Sequence, residues 1–441
     1  MKAFMLGWEF PPFISGGLGT ACHGLTKAMG RLGIRIAFVL PKAQVSDSTE
    51  AVRVLSAEGC VKTEEVGAFE HVDFHEISST LRPYVSSVAD RGYFKGRGPF
   101  RGGDRHYVRS WHSEGSGQVE NYPQDLAEQV HRYTSKVMEI VTVEEFDIIH
   151  AHDWMTYPAG IAVAEATGKP LVVHVHSTEC DRSGDNLNQN VYDIERRGMH
   201  FASIVIAVSN YTKNIIVRRY GVEPEKVKVI YNGVERDDGD SSPFSNAPPE
   251  KMDKIVLFLG RITMQKGPEY FLMAAKKVLE KVDNIKFVMA GDGDMTNRMV
   301  EFAAYLGIGH KVLFTRFLQG IDVDRAYQMA DLYVMPSVSE PFGIAPLEAL
   351  KHKVPVLVSK QSGIAEALTH ALKVDFWDIH QMANKIVAVL RYPTLSRMLQ
   401  ELGHSEMQKF RWEDAAAKVK GVYEEVLAGS SSVVGLGYGD S

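Results

Sequence analysis

Cysteine is scarce. Cys22, Cys60 and Cys180 are the three in 441 residues, too few and too scattered for a disulfide frame or a metal knuckle. They read as reduced thiols of a cytoplasmic protein. No apolar run reaches the ~18 residues needed to span a bilayer. Met1 to Gly7 enters a strand at once, without the apolar core or cleavage pattern of a signal peptide. An excess of positive charge is also missing. The net charge is −6, so a general nucleic-acid binder is not expected. No Gly-x-Gly-x-x-Gly follows the first strand, and no Lys-Ser/Thr follows its glycines. That argues against an NAD(P)-dependent oxidoreductase and against a P-loop. Repeats of solenoid period are absent.

What is present is an ordinary globular composition, on a chain long enough for two domains of about 200 residues. Strands and helices alternate in both halves, which predicts an α/β protein with two Rossmann-like, doubly wound parallel sheets. The expected divisions are residues 1–236, a linker at 237–253 dense in Asp, Gly, Ser and Pro, and residues 254–428. The last helix, from Trp412, is a candidate to pack back on the first domain. Residues 429–441 are Gly- and Ser-rich and are expected to be disordered.

The most informative stretch is Ser337 to Leu350. A short apolar strand precedes it, and Ile344, Leu347 and Leu350 recur at helical spacing after it. Pro346 suits a first helical turn. Glu340 therefore falls in the strand-to-helix loop, and Gly343 lets backbone approach a ligand. The helix start beside it is the positive end of a dipole, a place for phosphate. Glu340 and Glu348 add acceptors for sugar and ribose hydroxyls. A second loop, Gly260 to Pro268, carries Arg261 and Lys266 after a strand and before a helix. Two cations beside a helix start form a pocket for a diphosphate. In the first half, Gly16 and Gly17 offer bare amides at a helix start.

His150-Ala151-His152-Asp153-Trp154 and His174-Val175-His176 end two further strands. In open parallel sheets ligands bind outside those ends. Period-two geometry puts both rings of a His-x-His pair on one face, as zinc requires. Cysteine partners and an obvious third ligand are lacking, so no metal is expected. A histidine donating to a sugar hydroxyl or phosphate oxygen is the simpler functional reading. Residues 82–109 interleave Arg91, Lys95, Arg97, Arg101 and Arg105 with aromatics. That pattern suits a clamp on a glycan acceptor or contact with an anionic membrane surface.

Taken together these motifs resemble the GT-B glycosyltransferases, in which two Rossmann-like domains face each other across a cleft. Glu340 to Glu348 has the E-x7-E spacing of retaining families that include family 4 glycosyltransferases and glycogen synthases. Gly260 to Gly267 is similar to their donor-diphosphate segment. Gly16-Gly17-Leu18-Gly19, His150 to Trp154 and Asn232-Gly233-Val234 are similar to starch and glycogen synthase motifs.

The resemblance implies an enzyme that moves a hexose, glucose above all, from an ADP- or UDP-sugar to an α-glucan-type acceptor with retention. It implies no metal or other cofactor. The alternative is a family 4 enzyme acting on a lipid-linked or cell-envelope glycan. Under this reading Arg261 and Lys266 bind the diphosphate, Glu340 holds the donor sugar, Glu348 the ribose, and His176 lies near the reacting centre. The backbone of Gly343, Ile344 and Ala345 meets the phosphates, Gly16 and Gly17 line the phosphate side, Asn232 touches the donor at the domain junction, and Asp153 and Trp154 fall on the acceptor side. Two departures move the chain from starch synthases toward family 4. Ile14 stands where many starch synthases have Lys, and Glu348 is present where many lack it.

Overall fold

Short runs of branched apolar residues, buried on both faces, form the strands. Ile148–His152, Leu171–Val175, Ile204–Ala207, Leu332–Met335 and Val356–Ser359 are buried throughout, as parallel strands between helical layers must be. The computed structural model describes residues 1–10, 16–41, 69, 71–77, 126–235 and 253–434. Residues 82–109 and nearly all of the expected linker lie outside them.

The first lobe runs β1 (Lys2–Leu6), α1 (Gly17–Arg31), β2 (Arg35–Pro41), β3 (Val72–Ile77), α2 (Leu126–Val141), β4 (Ile148–His152), α3 (Tyr157–Thr167), β5 (Leu171–Val175), α4 (Glu179–Ser183), α5 (Gln189–Phe201), β6 (Ile204–Ala207), α6 (Asn210–Tyr220) and β7 (Val227–Val229). The second runs β8 (Lys254–Leu259), α7 (Pro268–Leu279), β9 (Ile285–Ala290), α8 (Thr296–Tyr305), β10 (Val312–Arg316), α9 (Ile321–Met329), β11 (Leu332–Met335), α10 (Ala345–Lys351), β12 (Val356–Ser359), α11 (Gly363–Ala367), β13 (Leu372–Val374), α12 (Ile379–Arg391), α13 (Pro393–Met407) and α14 (Trp412–Val434). The sheet orders are β3-β2-β1-β4-β5-β6-β7 and β10-β9-β8-β11-β12-β13. All pairings are parallel. This is the doubly wound order, with its switch points between β1 and β4 and between β8 and β11.

Two features position the site. First, α14 leaves the second lobe and packs along α1. Trp412, Ala416, Val419 and Tyr423 share a buried cluster with Leu25, Ala28 and Met29. A Cβ on Gly24 would stand 2.2 Å from Trp412, so only glycine admits that indole. Second, the register sets His150 opposite Val172 and His152 opposite His174. By period two, His150, His152, His174 and His176 then share the sheet face that α1 and α14 cover. No proline interrupts α14, which continues through Val434, past the expected start of the disordered tail at 429.

Candidate active site

In the second lobe the loop after β8 lies directly against the loop after β11. Gly267 has φ 63°, and a Cβ there would stand 2.3 Å from the Pro336 carbonyl oxygen. The Val338 amide donates to the Gln265 carbonyl at 2.9 Å. This contact brings Lys266 Nζ onto Glu340 Oε2 as an ion pair. Ser337 Oγ donates to the same carboxylate oxygen at 3.3 Å. Glu340 is itself fixed by backbone, because its amide donates to Gln361 and its carbonyl accepts from Gly363, both at 2.9 Å. Gly343 has φ 103°, a left-handed conformation that a side chain would strain.

Arg261 reaches across to the first lobe, where a Cβ on Gly16 would stand 3.9 Å from its Nε. Gly17 is open. The Gly16 amide donates to Glu9 Oε1 at 2.7 Å. Glu348 accepts from Tyr327 Oη at 2.9 Å, and burial pushes its carboxyl above the usual range. It faces a cleft of about 360 Å³ lined from both lobes, by Thr20, His23 and Gly233 on one side and Ile344, Tyr327 and Asp324 on the other. Asn232 is buried beside that cleft's first-lobe wall.

The first-lobe edge is a stack of four imidazoles. Their neighbouring rings lie 4.3–5.3 Å apart at interplanar angles of 12–29°. His150 Nδ1 meets Tyr423 Oη at 2.5 Å and its Nε2 meets His174 Nδ1 at 3.3 Å. His152 Nδ1 meets His176 Nε2 at 2.9 Å. Burial holds all four below the ordinary histidine range, His152 at about 3. They are neutral hydrogen-bonding groups, not cations.

Asp153 braces this edge. Its Oδ1 accepts from the His176 amide at 2.7 Å and the Ser177 amide at 3.3 Å. Its φ is +58°, rare for a non-glycine residue and typical of a functional turn. Behind it, buried Arg182 pairs with Glu179 and Glu195. Asp153 is thus a buried brace for His176. Trp154 does not present a face to an acceptor either. It is 5 % exposed and sits in the first-lobe core, because the chain turns inward through Trp154–Thr156.

The structure therefore gathers the expected residues in three places. Lys266 meets Glu340, Arg261 meets Gly16, and Glu348 with Ile344 lines the interlobe cleft. Sequence reasoning gave no role to Asp181 or Ser339, which link the lobes. Ser339 Oγ donates to Asp181 Oδ1 at 2.5 Å and meets Tyr211 Oη at 2.9 Å. Asp181 closes a capping box with Thr178, and that Thr-x-x-Asp spacing was a readable signal. Glu366 of the second lobe caps α6 of the first, accepting from the Asn210 and Tyr211 amides at 2.6 and 3.0 Å.

The comparisons with known proteins agree with this architecture. Residues 102–238 match the model described as Glycosyltransferase Family 4, and residues 241–405 match Glycosyl transferases group 1. An uncharacterized glycosyltransferase of Methanocaldococcus jannaschii is 28 % identical, over 96 % of this chain and 98 % of its own. A glycogen synthase of Mycobacterium tuberculosis is 24 % identical, over 96 % of this chain and 94 % of its own. The Anabaena protein HepE, solved with UDP-glucose, superposes with a TM-score of 0.66 at 18 % identity, covering 96 % of this chain and 100 % of that one.

The two parallel-sheet lobes give the GT-B fold, and with the two family matches the chain is a glycosyltransferase of that fold. Within that class, the chain resembles the family 4 enzymes and the glycogen synthases. Among the described residues, no helix is long and apolar enough to cross a membrane.

Proposed function

We propose that this enzyme transfers a hexose, glucose in the first instance, from a nucleotide diphosphate sugar to an α-glucan-type acceptor, with retention at the anomeric carbon. The observation that carries the reading is the Lys266–Glu340 pair at the β8 and β11 loop ends, with Arg261 reaching Gly16 across the cleft. The pair alone carries no net charge. Arg261 supplies the excess positive charge that a diphosphate requires, and the amides at the start of α1 add to it. The glycogen synthase relative supports the acceptor class, and the UDP-glucose complex of HepE supports the donor class.

In this reading the nucleoside lies in the interlobe cleft with its ribose hydroxyls on Glu348. Glu340 accepts from hydroxyls of the donor sugar. Neutral His176 has one ring nitrogen engaged by His152 and offers the other, Nδ1, to the sugar near its reacting carbon. The bond from the anomeric carbon to the diphosphate breaks. The bond to the acceptor oxygen forms on the same face. The acceptor's proton passes to the departing phosphate oxygen. Arg261 and Lys266 stabilise the negative charge growing on that oxygen. Closure of the two lobes excludes water, which would otherwise hydrolyse the donor.

A donor screen tests this. ADP-, UDP- and GDP-sugars are each incubated with the enzyme, with and without glycogen or malto-oligosaccharides. Nucleoside diphosphate release that rises with glucan is expected. Absence of turnover with every donor would contradict the proposal, and turnover unaffected by glucan would contradict its acceptor.

A further inference from the structure

Asp153 and Trp154 are buried, so neither presents a platform to a glycan. The second lobe presents one. Trp377 lies just past the end of β13. Because β8, β11, β12 and β13 are all parallel, it stands on the same sheet edge as the donor loops. It is 58 % exposed, and its ring lies 4.8 Å from that of Phe376 and nearly perpendicular to it. Phe376 in turn meets Tyr270 at 5.0 Å. The Tyr270 ring lies over Gly267, where an added Cβ would stand 3.1 Å from it. Three aromatic rings thus run from the residue after Lys266 outward to solvent.

The loop that carries Trp377 is held at both ends and tied to the donor site. Lys360 Nζ and Gln361 Nε2 donate to the two oxygens of Asp375 at 2.8 and 3.0 Å. Asp378 caps α12 through the Gln381 amide at 2.9 Å. The Gln361 carbonyl accepts from the Glu340 amide at 2.9 Å, so one residue joins this loop to the carboxylate proposed to hold the donor sugar. A single exposed apolar side chain is ordinary, but a contiguous aromatic run on a ligand-binding edge marks a contact surface. A pyranose ring has flat faces of C–H groups bordered by hydroxyls. Such a ring can cover an indole while its hydroxyls reach the Asp375, Lys360 and Gln361 side chains beside it. The flanking Asp375 and Asp378 make the same surface a poor match for anionic lipid.

We propose that Trp377, backed by Phe376 and Tyr270, is a stacking platform for the acceptor, a subsite for an α-glucan chain on the second lobe. The terminal sugar of the chain receives the hexose between the lobes, and a sugar further along the same chain stacks on Trp377. The platform therefore sets affinity for long acceptors and takes no part in the transfer step. The choice of a glucan rests on the acceptor class proposed above, whereas the position of the rings beside the donor loops does not.

Native electrophoresis in gels containing glycogen, with no donor present, reads binding alone. The wild type should be retarded, and Trp377→Ala should lose about tenfold in apparent affinity, the scale of uncovering one stacked aromatic. Trp377→Phe should fall between them. Tyr392→Ala, which removes another exposed aromatic of the second lobe, should match the wild type. In turnover with maltoheptaose, Trp377→Ala should raise the glucan KM by about tenfold with kcat within about twofold. Circular dichroism confirms that each variant is folded. Wild-type retardation and KM in Trp377→Ala would overturn the platform, as would a fall in kcat at unchanged glucan KM. Binding to anionic vesicles that Trp377→Ala abolishes would overturn it in favour of a lipid contact. A wild type neither retarded nor stimulated by glucan would overturn the acceptor class itself, and the glucan platform with it.

Discussion

Strand for strand the two sheets repeat one order, β3-β2-β1-β4-β5-β6 in the first lobe and β10-β9-β8-β11-β12-β13 in the second. Their carboxyl edges differ in what they carry. The first lobe buries its polar groups and satisfies most of them internally, with His150 on Tyr423, Asp153 on two amides, and Arg182 between Glu179 and Glu195. The second lobe leaves its charges closer to solvent, with the Lys266 side chain 23 % exposed over Glu340. A shared topology fixes where a ligand can bind, and the edge residues fix what each half can do to it. Changes at the second-lobe edge should therefore cost turnover, and changes at the first-lobe edge should cost stability.

Lys266→Ala is the sharpest way to break this contrast. We expect turnover to fall by about a thousandfold, the scale of losing one preorganised charge at a developing anion. Stability should fall by no more than about 2 kcal/mol in denaturant unfolding, because the lysine is partly exposed. Near-normal turnover would remove the diphosphate-clamp assignment. Arg182→Ala should show the reverse pattern. Its side chain is 7 % exposed between two buried carboxylates, so a loss of about 3–5 kcal/mol is expected. An Arg182 variant as stable as the wild type would erase the contrast.

Asp153 gives a finer comparison. Burial raises its carboxyl to about 7 against an ordinary 3.8, opposed by Arg182 and the His176 amide. Its folded value lies above its unfolded one, so its contribution to stability is complete below about pH 4 and is lost as pH rises through about 7. Asp153→Asn keeps an acceptor for the His176 amide and removes the titration. Between those pH values the wild type should lose stability relative to the variant, and parallel profiles from unfolding at several pH values would contradict this. The smallest effect is expected at the lobe contact. Ser339→Ala removes the hydroxyl shared by Asp181 and Tyr211, and kcat/KM should drop by roughly fivefold, the worth of one hydrogen bond. A change beyond about a hundredfold would make Ser339 part of the reacting centre.

The fold was readable where periodicity was strong. Pro268 and Pro346 stand in the first turns of α7 and α10, and Ser209 caps α6 through Thr212. The strand that ends at the first His-x-His pair takes both His150 and His152 inside it, over Ile148–His152, because neutral, stacked histidines are tolerated inside a sheet once they have partners. At the site, Lys266 and Glu340 were legible because each sits in a glycine-framed loop after an apolar run. What was hidden is tertiary. Nothing local ties Tyr423 to His150 or Ser339 to Asp181. Trp154 misled for the same reason, since an aromatic after a strand end can turn toward the core as readily as toward a ligand.

The most direct measurement is a crystal structure of the enzyme with UDP or ADP. The account predicts the diphosphate within hydrogen-bonding reach of both Arg261 and Lys266, with the ribose against Glu348 in the cleft beside Gly16. A nucleotide seated elsewhere, with those three side chains making no contact to it, would contradict the account.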